Sequence, residues 1–188
     1  VRGAGNRINS NTSNASASST SFLSSFNNSG FSVGNDNDVN YNNQTFASWS
    51  WRKQKGFFDV VTWTGNNTGG RTIPHNLGCV PGCIMVKNTS SAIDWTVWHR
   101  GAVESDATNT LILNAMSAAA TNSTYFDNGS TPPTKDNFTV HTSNRVNAVG
   151  ETYVAYVFAG GKDKTTATAR SVDFDGSSYL NIADHSDF

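Results

Sequence analysis

Acidic side chains are the first residues in this chain that could carry out chemistry. A glycoside hydrolase needs two carboxyl groups placed on either side of one glycosidic bond. The candidate carboxylates stand alone along the sequence, without a paired pattern: Asp59, Asp94, Glu104, Asp127 and Glu151. Glu151 also aligns with Gln44 in an internal repeat, so an acid is not required at that position. The acidic residues therefore predict no catalytic group, and we expect the chain not to be an enzyme.

Histidines and cysteines are too sparse to predict a metal centre. His75 lies in a Pro-His-Asn-Leu-Gly turn and His99 near a strand end, where a lone imidazole usually makes a local hydrogen bond. We expect His75 to bind a backbone carbonyl group. Cys79 and Cys83 would form a disulfide only if the turn between them brought them together, and two half-buried free thiols are the favoured alternative. We predict no metal site and no cofactor.

The five tryptophans are the candidates for ligand binding, because an aromatic ring can stack on a sugar. Trp49, Trp51 and Trp63 lie in strong predicted strands, which favours packing in the core. Trp95 and Trp98 are three residues apart, and so they face opposite sides of one strand. We expect one of these two to be exposed or at an interface. Trp95 and Trp98 are therefore the candidate ligand-binding residues.

The composition is typical of an extracellular β-protein. Charged residues make up 14% of the 188-residue chain, against roughly a quarter in an average protein. Asn, Ser and Thr together supply about a third of the residues, which favours strands, turns and an uncharged polar surface. The net charge of −1 predicts no attraction to nucleic acid. With no long apolar run, no insertion into a membrane is expected.

Short segments rich in β-branched and aromatic residues predict strands, and turn signals separate them. The predicted strands cover residues 31–33, 45–51, 57–64, 82–87, 94–99, 110–114, 137–141 and 151–159. The stretch at about residues 9–25 is too polar to become ordered by burial, so its neighbours must hold it if it is ordered. A short helix or turn is the prediction for 114–121. The spacing of the strands predicts an all-β fold of antiparallel β-sandwich units.

A repeat gives the strongest information on domain organisation. Residues 31–51 align without a gap to residues 138–158, with six identities. Each copy reads as a short strand, a polar turn containing Asn, and a long aromatic strand. The repeat predicts tandem units: residues 1–54 as the C-terminal half of a first unit, taken from a longer protein, and 55–160 as a complete second unit. Residues 161–169 are predicted to be a linker.

Two parts of the sequence resemble known families. The order of motifs between Trp51 and Ala159 resembles a repeat domain of tail-fibre and virion-surface proteins of marine bacteriophages and cyanophages; it includes Pro74-His75-Asn76-Leu77-Gly78 and Pro81-Gly82. Residues 170–188 resemble the opening strands of a concanavalin-like, laminin-G-like jelly roll. The resemblance implies a protein on the surface of a phage particle, and it implies no catalytic residues.

These observations lead to three alternatives for the function. The first is a structural protein of a phage tail fibre or similar appendage that takes part in host attachment. It would contact other virion proteins and form homo-oligomers, such as trimers. The second is a carbohydrate-binding module that holds a host-surface glycan. The third is a capsid decoration or head-fibre protein, which the sequence does not distinguish from a tail fibre.

Overall fold

The computed structural model describes residues 2–102, 109–126 and 131–160. Within these ranges the chain is almost entirely β-structure, and the predicted all-β fold of antiparallel sandwich layers is confirmed. The elements in chain order are β1 (Asn6–Arg7), β2 (Ala17–Ser18), β3 (Leu23–Asn27), β4 (Gly30–Val33), α1 (Asn37–Asn40), β5 (Phe58–Thr64), β6 (Arg71–Pro74), β7 (Pro81–Asn88), β8 (Thr96–His99), β9 (Asn109–Ile112), β10 (Ala120–Thr121), β11 (Asn137–Val140) and β12 (Thr152–Ala159).

Residues 55–160, here called the main sandwich, contain one six-stranded antiparallel sheet in the order β10-β9-β8-β7-β12-β5. The aromatic and β-branched strand β12 is the fifth of the six strands and lies between β7 and the edge strand β5. It pairs with β5 along its length and with β7 on its other edge. Residues of this type suit a pleated surface that is covered on its faces, and here they occupy a strand with a neighbour on each edge.

Strands β6 and β11 form the second layer of the main sandwich. Phe138 pairs with Ile73 across them, and both side chains point into the core. The core between the layers consists of buried side chains from both: Trp63, Ile73, Leu77, Ile84, Val86, Trp98, Phe126, Phe138, Val140, Val146, Tyr153, Ala155 and Val157. Two of its polar groups are paired with backbone carbonyl groups. The Trp63 indole N–H donates to the Val146 carbonyl at 3.0 Å. The Tyr153 hydroxyl donates to the Asn144 carbonyl at 2.9 Å.

Residues 2–54, here called the N-terminal region, contain two small hairpins and one helical turn. β1 pairs with β2, and β3 pairs with β4. The helical turn α1 begins after Asp36, whose carboxylate accepts a hydrogen bond from the Asp38 N–H at 2.9 Å. This is the usual way to satisfy a free N–H at the start of a helix.

The hydrogen bonds of the N-terminal region recur in the main sandwich. The pairing of Asn6 with Ser18 in the first hairpin corresponds to the pairing of Asn109 with Thr121 between β9 and β10. Further along, four backbone hydrogen bonds have counterparts with nearly the same lengths. The bond from Gly34 N–H to Phe22 O (2.7 Å) corresponds to that from His141 N–H to Tyr125 O (2.9 Å), and the bond from Asp36 N–H to Ser21 O (3.0 Å) to that from Ser143 N–H to Thr124 O (3.2 Å). In the turn that follows, Val39 N–H to Asp36 O (3.1 Å) corresponds to Val146 N–H to Ser143 O (3.0 Å). Asn40 N–H to Asp36 O (2.9 Å) corresponds to Asn147 N–H to Ser143 O (2.8 Å).

The likeness between the two regions ends before residue 45. Residues 45–51 align with residues 152–158, nearly all of β12, but they form no strand, so the strand predicted there is wrong. The physical reason is pairing, because strand propensity acts only where neighbouring strands supply partners. β12 has β5 and β7 beside it, whereas the described part of the chain brings no strand to residues 45–51.

Most other strand predictions agree with the structure to within one or two residues at each end. The strand β6 was not predicted, because Gly69 and Gly70 before it and Pro74 at its end indicate a turn. Residues 9–25 contain β2 and the start of β3, and residues 114–121 form a turn that leads into β10. The predicted linker at 161–169 and the jelly-roll start at 170–188 lie outside the described residues.

The close approach of Gly65 to the 147–148 backbone yields a stability prediction. A Cβ atom on Gly65 would lie 2.0 Å from the Ala148 carbonyl oxygen, and the Gly65 N–H and carbonyl are both bonded to the turn before β12. We expect Gly65→Ala to lower the free energy of unfolding by about 2 kcal/mol, as overpacking against a fixed backbone does. Urea denaturation measures this. Gly30→Ala is the control, since a Cβ there meets nothing within 4 Å. Equal stability of the two variants would contradict the prediction.

Candidate functional site

The N-terminal region covers the outer face of the six-stranded sheet, opposite the core, and this junction is the candidate site. The Ser16 N–H donates to the Thr89 carbonyl at 3.0 Å, just beyond the end of β7. The Trp95 indole N–H donates to the Asn9 carbonyl at 2.8 Å. Arg2 lies close enough to Tyr156 for a side-chain hydrogen bond. The contacts across the junction are therefore largely polar.

The two candidate ligand-binding residues, Trp95 and Trp98, do face opposite sides, but neither is exposed. Trp98 packs in the core. Trp95, at 4% exposure, packs against Tyr156 on the outer face and lies under Asn9. We expected one of the two to be exposed or at an interface. Neither is exposed, because the N-terminal region covers the outer face, and Trp95 lies at the junction with that region. Neither indole is available to stack on a sugar.

The other tryptophans divide differently from the prediction. Trp63 is buried in the core, as predicted. Trp49 and Trp51 were also expected in the core, but they are 84% and 57% exposed. Trp51 makes only edge contacts with Phe58 and Phe158 at the end of the six-stranded sheet. The reason is the missing strand at 45–51, which leaves these rings without a second layer to pack on.

A polar cleft of about 540 Å³ lies at the junction, between β1, β2 and the β5–β12 end of the sheet. Its lining is rich in hydroxyl and amide groups: Arg2, Asn6, Ser16, Ser18, Thr62, Trp63, Thr64, Thr89, Thr152 and Tyr153. Trp63 and Tyr153 are themselves buried, so they offer no open aromatic platform. Thr62 and Thr64 are exposed on β5. The cleft could hold a neutral, polyhydroxylated ligand through hydrogen bonds.

Several hydroxyl groups of the cleft already bind one another. The Thr89 and Thr152 hydroxyl oxygens are 2.6 Å apart, and Ser18 Oγ donates to Asn6 Oδ1 at 2.8 Å. The Arg2 guanidinium donates to Ser16 Oγ and brings the one positive charge to the lining. These contacts hold the lining in a fixed shape, which reduces the cost of ordering it around a ligand.

The predicted histidine and cysteine residues play local roles. His75 is buried, and its Nδ1 accepts a hydrogen bond from the Leu77 N–H at 3.2 Å. A backbone hydrogen bond at Thr134 favours the protonated form of the ring, as the expected bond to a carbonyl group would. Burial lowers the pKa of His75. His99 Nδ1 likewise accepts from the Gly101 N–H at 3.1 Å. Cys79 and Cys83 are half-buried free thiols, and burial raises the pKa of both.

Each candidate carboxylate in the described part of the chain is bound by a different partner. Asp59 is buried and lies 2.7 Å from Lys53 Nζ, and its other oxygen accepts from the Asn76 N–H at 2.8 Å. Burial would raise the pKa of Asp59, but Lys53 and the backbone N–H donors outweigh it, so that this pKa is lowered. Glu151 accepts from the Ser91 hydroxyl at 2.9 and 3.0 Å. Glu104 and Asp127 lie outside the described ranges.

A buried lysine beneath the N-terminal region escaped the sequence analysis. Lys87 lies on β7, and its Nζ donates to the Asn88 carbonyl at 2.5 Å. Burial lowers the pKa of Lys87 to about 8; the charge of Asp94 opposes this shift and that of Arg2 adds to it. Asp94 in turn accepts from Arg145 Nη2 at 3.0 Å. The only signal in the sequence is the alternation of side chains along β7. It places Lys87 on the outer face of the sheet, opposite the core residue Val86.

No cluster of three His, Cys, Asp or Glu side chains suited to a metal ion occurs among the described residues. No helix in the same ranges is long and apolar enough to cross a membrane.

The buried ammonium of Lys87 yields a prediction on pH dependence. Its pKa is about 8 in the fold and 10.5 ordinarily, so the unfolded chain binds more protons between these values. The contribution of Lys87 to the free energy of unfolding should therefore rise with pH across this window, and it is measured as the difference from Lys87→Met. Lys87→Met removes the cost of burying the charge, and we expect it to add roughly 1–3 kcal/mol at pH 7. The gain should shrink toward pH 10.

Urea unfolding between pH 7 and pH 10 measures both effects. Lys135→Met is the matched control, because Lys135 is exposed and pairs only with the neighbouring Asp136. We expect its stability to stay within about 0.5 kcal/mol of the original chain. A Lys87→Met variant that is destabilised at pH 7, or that keeps the rise with pH, would contradict the prediction.

Comparison with known proteins gives one match, which extends over both regions of the chain. No curated protein and no solved structure matches the sequence. Residues 1–165 match a family described as "Domain of unknown function (DUF7483)". The match runs through the N-terminal region and the main sandwich, including the junction between them. The chain therefore belongs to the DUF7483 family of domains of unknown function.

Proposed function

We propose that the chain is a structural protein of a bacteriophage virion, in a tail fibre or a similar appendage that takes part in host attachment. The observation that carries the proposal is the junction. The N-terminal region repeats hydrogen bonds found in the second half of the main sandwich, and it lies across the six-stranded sheet. A β-unit that lies against a related unit is suited to stacking, and stacked units give an appendage length. The resemblance to phage tail-fibre repeats supports a location on a phage particle.

The absence of a catalytic function is part of this proposal. The described candidate carboxylates Asp59, Asp94 and Glu151 each bind a separate partner, and those contacts are structural. The low charge and the high content of Asn, Ser and Thr suit the uncharged polar surface of an extracellular protein. Copies of the chain, in a homo-oligomer such as a trimer, and other virion proteins would be its partners. A capsid decoration or head-fibre protein would use the same stacking.

Immunogold electron microscopy of purified particles tests the location. With an antibody raised against this chain, we expect gold labels on a tail appendage of phage particles that encode it. Labels on the head alone would contradict the tail-fibre assignment and would support a capsid decoration or head-fibre protein instead. Antibody that has been absorbed with the purified chain is the control. Purified particles that carry the chain neither by labelling nor by mass spectrometry would overturn the proposal.

A carbohydrate-binding role is the second candidate, and the polar cleft favours it. The hydroxyl groups of Thr62 and Thr64 lie in the cleft lining and can bind sugar hydroxyls. We expect a soluble neutral oligosaccharide from a host surface to bind there, and Thr62→Val with Thr64→Val to weaken it about tenfold. This loss corresponds to two hydrogen bonds of about 0.7 kcal/mol each.

A glycan array followed by calorimetry measures this binding. Thr72→Val is the control, because Thr72 is an exposed threonine on β6, outside the cleft. Binding that survives the double substitution, or no saturable binding at all, would remove the carbohydrate-binding role.

A further inference from the structure

Residues that are identical in the two regions differ sharply in exposure. Phe138 and Val140 of β11 are 1% and 0% exposed, whereas their counterparts Phe31 and Val33 of β4 are 37% and 39% exposed. Asn147 is fully buried, and its counterpart Asn40 is exposed. The N-terminal region thus carries the side chains of a sandwich core on a face that the described chain leaves open.

The main sandwich shows what covers these residues. β6 pairs with β11 and brings Ile73 opposite Phe138. The loop before β6 surrounds Asn147, whose side-chain oxygen accepts from the Asn66 N–H at 3.1 Å and whose amide donates to the Thr68 carbonyl at 2.9 Å. All these partners come from residues 55–102, the first half of the main sandwich. In the described chain, β4 pairs with β3 alone.

The segment 45–51 shows the same difference. Phe46 aligns with Tyr153 of β12, which is 1% exposed, yet Phe46 is 52% exposed. Trp49 and Trp51 align with Tyr156 and Phe158, which lie against other aromatic rings of the sheet. β12 reaches this burial because β5 and β7 flank it. Large exposed aromatic groups in one segment mark an interaction surface.

We propose that the N-terminal region binds a β half-unit built like residues 55–102, which supplies counterparts of β5, β6, β7 and β8. Residues 45–51 then form a strand between the counterparts of β5 and β7 in a second six-stranded sheet, and Phe31 and Val33 enter the core of the completed unit. A second copy of this chain is a poorer occupant, because β11 and β12 already occupy its own residues 55–102. The proposal deepens the proposed stacking role by naming the partner that continues the stack.

The first test extends the chain with the proposed partner. Asn6 corresponds to Asn109 in the strand pairing, so Val1 corresponds in sequence to Glu104. The extended chain therefore carries a second copy of residues 55–103 joined directly before Val1. We expect hydrogen exchange of the amides at 45–51 to slow at least a hundredfold relative to the original chain. The fluorescence of Trp49 and Trp51 should also lose accessibility to acrylamide. Exchange that stays fast at 45–51 would overturn the proposal.

The matched control is the same extension with Ile84→Asp in the added stretch alone. Ile84 is fully buried in the main sandwich, so this change should prevent the added half from packing. We expect residues 45–51 to keep the fast exchange of the original chain. An unaltered extension whose own amides exchange as in an unfolded chain also contradicts the proposal, because the N-terminal region should be able to order it.

A second test needs no added residues. In the original chain at low concentration, the amides at 45–51 should exchange at least a hundredfold faster than those of β12. Protection of 45–51 that is independent of concentration would overturn the proposal, because the segment would then already have its partners. Protection that appears together with dimers would make a second copy the occupant instead. None of these results depends on the location in a particle, so the proposed virion role can fail separately.

Discussion

The fold depends on the enclosure of the strand Thr152–Ala159. This strand needs a neighbour on each edge and a covered surface on each face, and the rest of the main sandwich supplies them. On its inner face Tyr153, Ala155 and Val157 pack in the core, and on its outer face Tyr156 lies under Trp95. A strand of this composition that lacks these neighbours cannot bury its side chains, and residues 45–51 show that outcome within the same molecule.

Enclosure on the two faces is achieved with different chemistry. The inner face is sealed by apolar packing with a few internal hydrogen bonds, such as that from Trp63 to the Val146 carbonyl. The outer face is covered by the N-terminal region through single polar contacts and a buried ammonium group at Lys87. Apolar burial contributes most of the stability of a β-sandwich, whereas a polar contact adds a modest net amount. The core therefore holds the unit together, and the junction sets how the regions lie against each other.

The sequence predicts what is local and misses what depends on distant residues. Strands such as 57–64 and 151–159 are evident from β-branched and aromatic residues between turn signals, and the 31–40 and 138–147 alignment matches a shared set of hydrogen bonds. The burial of Trp95 could not be predicted, because its cover lies some eighty residues earlier in a stretch without periodicity. The exposure of Trp49 and Trp51 also depends on distant residues. Their sequence is that of a strand with two neighbours, and the absence of neighbouring strands among the described residues exposes them.

The contrast between core and junction bears on how a stack of such units would behave. Completing a core around Phe31 and Val33 would remove large apolar surfaces from water, at roughly 25 cal/mol for each Å², and would make a rigid unit. The junction buries polar groups whose hydrogen bonds with water are nearly as favourable as those in the fold, and Lys87 lowers its net gain further. Rigid units joined by weaker polar contacts bend at the joints before the units unfold. The proposed appendage would need this order of strengths, because it must reach a surface and withstand a pulling force.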